Sequence, residues 1–120
     1  MTLARQTGNA GEEQAAQFLR QQGYKILAHN FSAAGGELDL VAQRQKMLVF
    51  VEVKTRASRA FGGPVAAVTA AKQRRIVRAA VQYIKATAPK FDSIRFDVIG
   101  ILPDALEHIP NAFTPPRMTL

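Results

Sequence analysis

The sequence predicts a single α/β domain, a mixed sheet carrying helices on its faces. Apolar residues recur at helical spacing in two stretches, near 10–22 and 70–86. Shorter stretches either alternate with period two or are rich in β-branched and aromatic residues. Their order along the chain, α-β-β-β-α-β, interleaves the two kinds, which is the pattern of a covered sheet and not of a bundle or sandwich.

The first helix is expected to begin after Asn9, a favourable N-cap, with Glu12 completing an approximate capping box. Ala15, Ala16, Phe18 and Leu19 form its apolar stripe, and Gly23 ends it. Residues 24–27 read as a short strand and 29–36 as a loop closed by Gly35-Gly36. In GELDLVAQ (36–43), Leu38, Leu40 and Ala42 should face one way and Glu37, Asp39 and Val41 the other. A polar connection over 44–46 leads into the strand 47–54, giving an antiparallel hairpin. Residues 56–63 are expected to form a loop. Thr69 then caps a helix over 70–86 with Ile76, Val77, Ala80, Val81 and Ile84 inward, and Pro89 stops it. Its other side carries Lys72, Arg74, Arg75, Arg78 and Lys85. SIRFDVIGI (93–101) alternates as a further strand. The proline-rich remainder, from about residue 103, extends the one domain (1–120), with a short strand expected around 108–113.

Composition narrows the function. A chain of 120 residues, 48% hydrophobic, can bury a core without staples. Cysteine is absent, which excludes disulfides, thiolate metal sites and cysteine nucleophiles. No apolar run approaches the roughly 18 residues of a membrane span. The N-terminus shows no apolar core of the signal-peptide kind, so a cytoplasmic location and no membrane partner are expected. The net charge of +7 favours a polyanionic partner, nucleic acid first.

The informative anomaly is LVFVEVKTR (48–56). Its first four residues read as a buried central strand, yet Glu52 and Lys54 follow on a shared face. A buried carboxylate costs several kcal/mol unless paired or bound to a cation. If the hairpin turns near 44–46, Asp39 on the preceding strand approaches Glu52. Two carboxylates at about 4 Å repel by about 4 kcal/mol at an effective dielectric near 20. With Glu12 or Glu13 joining from the first helix, three acids would face one lysine, and a divalent cation would balance them. Oxygen-only ligands point to Mg²⁺ or Mn²⁺. Such an ion beside a lysine suits phosphodiester hydrolysis, and the basic helix would hold the polyanion. The bland alternative is a plain same-face ion pair at a strand end, worth under about 1 kcal/mol if exposed. His29 and His108 lack metal-type spacing and read as packing or hydrogen-bonding residues. Phe61 could stack on a base or anchor its own loop.

GNAGEEQAAQFLRQQGYKILAHNF, GGELDLVA, LVFVEVKTR, FGGPVAAVTAAKQRRI and RFDVIGI together resemble the YraN-like family of small bacterial proteins. That family is similar to Holliday-junction resolvases and to the restriction-endonuclease-like, PD-(D/E)XK, nuclease superfamily. The resemblance implies a restriction-endonuclease-like three-layer core. It places the superfamily's helix glutamate on Glu12, its metal-binding aspartate on Asp39 and its E-x-K pair on Glu52 and Lys54. Leu38 stands where the named pattern has proline. The expected function is a metal-dependent DNA endonuclease acting on branched or structured DNA. Asp39, Glu52 and Glu12 would hold the metal, Lys54 would position the attacking water, and Arg56, Lys72, Arg75 and Arg78 would contact phosphates. RNA as substrate and a homodimeric state stay open. The competing reading is a nucleic-acid-binding or adaptor protein that keeps the nuclease fold without turnover.

Overall fold

The computed structural model describes residues 3–57, 66 and 68–115, with residues 3–9 followed as backbone only. Its elements are α1 (Leu3–Gln21), β1 (Lys25–Ala33), β2 (Gly36–Arg44), β3 (Met47–Thr55), α2 (Ala70–Thr87), β4 (Ser93–Ile101) and β5 (Leu106–Ile109). The strands form one sheet in the order β1-β2-β3-β4-β5. Only β3 and β4 run parallel, joined by the α2 crossover; the other neighbours are antiparallel. The sheet is therefore mixed, as its sequence pattern predicts.

Two apolar clusters make the layers. On one face Ala15, Ala16 and Leu19 of α1 pack on Leu40, Ala42, Val49, Val51, Ile99 and Ile101. On the other, Ile76, Ala79, Ala80, Tyr83 and Ile84 of α2 pack on Leu48, Phe50, Phe96 and Val98. β3 contributes alternately to both clusters, so the central strand is buried on both sides. Burying each such Val, Leu or Phe stabilises by about 1.5–3 kcal/mol. Among the described residues no helix is long and apolar enough to cross a membrane.

Several expectations need correction. α1 starts at Leu3, upstream of Asn9, because Leu3, Ala4, Arg5 and Gln6 are good helix formers and the weak run Thr7-Gly8-Asn9 is carried within the helix. Glu12 is therefore a mid-helix residue and no capping partner. α1 does end at Gly23 (φ 92°), where Tyr24 N–H reaches the Leu19 carbonyl and Gly23 N–H the Arg20 carbonyl, each at 3.0 Å. β1 continues to Ala33 through residues expected to be loop, because β2 supplies a ladder for them; a bulge at Leu27 and a left-handed Asn30 (φ 52°) hide the period-two signal. Leu38 joins Val41 in the α2-side cluster while Leu40 and Ala42 face α1, so the expected alternation slips at the start of β2. On α2 the buried stripe runs through Ala79 and Tyr83, with Val77 and Val81 only half-buried. Tyr83 wins its place by edge-on contacts with Phe31 at 5.3 Å and Phe50 at 6.1 Å. The last strand lies at Leu106–Ile109, before Pro110, which has no N–H to give a ladder. Of the loop expected over 56–63, residues 58–63, Phe61 included, lie outside the described residues.

One buried charge fastens β5 and the segment after it to β4. Asp97 is fully buried and accepts two bonds from Arg95, one each from Nε and Nη2, both at 2.7 Å. His108 Nε2 lies 2.7 Å away, and the Asn111 amide donates at 3.0 Å. Arg95 in turn donates to the Tyr24 hydroxyl at 2.7 Å, tying the sheet to the chain leaving α1. Burial alone would raise the Asp97 pKa, but the bonds from His108, Arg95 and the Asn111 amide outweigh it and hold the carboxyl below its ordinary 3.8. With the folded pKa depressed, this stabilisation is present above the unfolded value and lost as pH falls through the folded one. Asp97→Ala takes the carboxylate from a half-buried guanidinium and should cost on the order of 3 kcal/mol at pH 7 in urea melts. The deficit against wild type should begin to shrink below pH 3.8, where the unfolded carboxyl takes up a proton that the folded one still refuses, and should close as pH falls through the depressed folded value.

Candidate active site

The β2–β3 ladder fixes where the acids meet. It pairs Arg44 with Met47 through Leu40 with Val51, then stops. Continuing that register sets Asp39 opposite Glu52, at the point where the strands part. There the Asp39 side chain replaces a backbone acceptor: Oδ2 accepts the Val53 amide at 2.8 Å. Asp39 also lies within hydrogen-bonding reach of the Glu52 carboxylate. Burial first, and repulsion from Glu52 second, push the Asp39 pKa up to about 7. The Val53 amide and Lys54 oppose this shift without cancelling it.

Val49, Val51 and Val53 face α1, so Glu52 and Lys54 leave β3 toward α2. Lys54 Nζ lies 3.1 Å from Glu52 Oε1, with the two side chains only 19% and 15% exposed. This is no solvated strand-end pair of negligible energy. Burial disfavours the Lys54 charge, but contact with Lys72 and attraction to Glu52 prevail and hold its pKa above the ordinary lysine value.

α1 delivers the third acid. Gly11 is buried, and a Cβ there would come within 2.8 Å of Thr55 Oγ1, so its small size lets the helix approach the end of β3. The next residue, Glu12, is half-buried and meets the Asn30 side chain, while its Oε2 is buried without a hydrogen-bond partner. Burial and the Asp39 charge raise its pKa. Leaving such an oxygen unsatisfied costs about 1–3 kcal/mol. Glu13 points elsewhere: it is exposed and bonded along the helix to Gln17 and Arg20. Of the two candidates left open by the sequence, Glu12 is the one near Asp39.

The basic residues divide. Lys72 and Arg75 line a cleft of about 490 Å³ together with Glu52, Lys54, Glu37 and the β1–β2 turn. Arg78 lies just beside it, its Cδ 3.3 Å from where a Cβ on Gly35 would stand. Arg56 is half-buried after β3, its amide bonded to the Ile101 carbonyl at 2.8 Å, and it is not among the described residues that line the cleft. Gly36 closes the cleft's far wall; a side chain there would collide with the Arg75 carbonyl oxygen. That two lysines meet at Glu52 escapes sequence reasoning, because their contact depends on how the α2 crossover returns over the sheet.

Among the described residues no three His, Asp or Glu side chains converge closely enough to enclose an ion unaided. Asp39 and Glu52 are the pair that could hold one, with Glu12 alongside. All donors are carboxylate oxygens, which suit hard cations.

Fold and site define a three-layer α/β domain with crowded carboxylates and paired lysines where its central strands diverge. The chain belongs to the uncharacterised protein family UPF0102, whose model matches residues 11–101, the family to which the YraN-like resemblance points. It is 50% identical over 115 residues to the UPF0102 protein of Syntrophomonas wolfei, a match covering 92% of this chain and 100% of that one. It is 50% identical over 116 residues to the UPF0102 protein of Pelobacter propionicus, covering 91% and 83%. With the UPF0102 protein of Myxococcus xanthus the identity is 42% over 113 residues, covering 91% and 90%.

The pKa of Asp39 sets a stability test. Its folded value of about 7 exceeds the ordinary 3.8, so ionising it opposes folding increasingly from pH 4 to pH 7, and fully above. Asp39→Asn keeps an acceptor for Val53 and removes the repulsion. In EDTA at pH 8 it should unfold at a higher temperature, by on the order of 1–2 kcal/mol, and the gain should vanish near pH 4.

Proposed function

We propose that this chain is a divalent-metal-dependent endonuclease of the PD-(D/E)XK type that hydrolyses DNA phosphodiesters on branched or otherwise structured DNA. The observation that carries this reading is the crowding of Asp39 against Glu52 beside two amines in a basic cleft. Like charges held together without a counterion are costly, and a cation and a phosphate would relieve both crowded pairs. Mg²⁺ suits two carboxylates well, since it keeps several waters and takes substrate phosphates as further ligands without needing an all-protein cage. Mn²⁺ suits the same donors. The orphaned Glu12 Oε2 would face the ion directly or through a water.

Asp39 and Glu52, helped by Glu12, would hold the metal. Bound there, it supplies Lewis acidity toward a phosphate oxygen and a more acidic water. Lys54, kept charged by Glu52 at 3.1 Å, donates hydrogen bonds that orient the attacking water and steady the negative charge developing on phosphorus oxygens. The attacking water gives a proton to solvent as its oxygen bonds to phosphorus, the phosphorus–oxygen ester bond breaks, and the leaving oxygen takes a proton from solvent. Lys72, Arg75, Arg78 and Arg56 hold backbone phosphates, which positions the strand and reads no sequence. Cutting both strands of a junction takes two copies of the site, which a homodimer supplies.

A second reading, a nucleic-acid-binding or adaptor protein without turnover, draws support from the want of a ready three-acid ion site among the described residues. Cleavage of labelled single-stranded, duplex and four-way-junction DNA, and of RNA, with Mg²⁺, Mn²⁺ or EDTA separates the two. Metal-dependent cutting of the junction is expected; binding without cutting under every metal would leave the adaptor.

Two variants sharpen this. Lys54→Met should lower the cleavage rate at least 100-fold while DNA affinity, read by fluorescence anisotropy, changes less than threefold. Arg75→Ala with Arg78→Ala should weaken binding for every sequence. It should also reduce the slope of log affinity on log salt by about 0.9 for each phosphate no longer neutralised, read from titrations between 50 and 200 mM salt.

A further inference from the structure

Lys72 occupies the third position of α2, in the first helical turn, where the helix dipole is positive and a lysine weakens the helix. No acid shares that turn to compensate, and Thr69 Oγ1 caps the Lys72 amide at 3.3 Å. The side chain is half-buried and lines the cleft beside Lys54. Contact with Lys54 first, then burial, lowers the Lys72 pKa. Glu52, 3.1 Å from Lys54, attracts Lys72 as well, and Glu37 lines the same cleft, so two carboxylates face these two amines. Arg75 adds a further cation to the same wall. The helix dipole and Coulomb repulsion both argue against a second lysine here, unless an anion belongs between the two amines.

We propose that Lys54 and Lys72 form a pocket for one phosphate group on the floor of this cleft. Lys72 is then a catalytic residue that grips the scissile phosphate, unlike the outlying Arg78. This second statement rests on the nuclease reading; the pocket does not. The carboxylates and the lysines make a divided site, one half short of a cation and the other short of an anion. A phosphodiester bound through both halves supplies what each lacks.

The test uses inorganic phosphate on the full chain in EDTA, followed by amide NMR shifts, with sodium chloride at matched ionic strength as control. Phosphate should perturb the amides around Lys54 and Lys72 saturably, and chloride should not. Lys72→Gln should weaken this binding at least tenfold, Lys72→Arg should retain it, and Lys85→Gln, at the far end of α2, should titrate as wild type. Equal responses to phosphate and chloride, or unchanged phosphate binding by Lys72→Gln, would overturn the pocket. With junction DNA and Mn²⁺, Lys72→Gln should lower kcat at least 30-fold with KM within threefold, whereas Arg78→Ala should act on KM. A Lys72→Gln effect confined to KM overturns the catalytic role. Saturable, Lys72-dependent phosphate binding by a protein that cleaves no DNA upholds the pocket and overturns the nuclease reading instead.

Discussion

Everything distinctive here depends on one hydrogen bond, from the Val53 amide to Asp39 Oδ2 at 2.8 Å. It lies where the β2–β3 ladder ends and stands in for the next rung. By taking a backbone partner, the Asp39 carboxylate is pinned at the mouth of the parted strands and cannot swing away from Glu52. Partial burial weakens the screening that solvent would supply, and with the Glu52 charge alongside it raises the Asp39 pKa. The fold thus holds an electrostatic conflict in place, and the buried residues of β3 supply the stability that tolerates it.

Most of the frame was legible in the sequence. β4 falls on the alternating segment SIRFDVIGI with the bounds its pattern predicts, and Thr69 caps α2 as expected. The nearness of Asp39 to Glu52 follows from a hairpin turning near 44–46, although the turn is one residue shorter than expected and the alternation slips at Leu38. What escaped is tertiary. β1 is long because β2 offers it a partner, and Tyr83 is buried because Phe31 and Phe50 wait across the interface. The contact between Lys72 and Lys54 joins residues on different layers, and no local pattern encodes it.

The Arg95–Asp97 pair carries a sequence signal of the same kind. Its spacing of two within an apolar strand is the feature that singles out Glu52 and Lys54. Both are acid–base pairs, each on one face of its strand, but a second carboxylate stands beside only one of them among the described residues. Asp97 is surrounded by donors and its carboxyl pKa is lowered; Asp39, beside Glu52, meets a second acid and its own is raised. Spacing marks a place worth attention. Only the company a carboxylate keeps decides whether its pKa falls or rises.

Gly36 has a mechanical consequence. With no side chain at that position, the β1–β2 turn rests against the backbone of α2 at Arg75. The turn and the helix thereby meet main chain to main chain, like a hinge pinned at one point, while the long side chains of Lys54, Lys72 and Arg75 remain free to adjust around whatever lies between them. Any side chain added at residue 36 would have to wedge the turn away from the helix and so widen the cleft from its closed end.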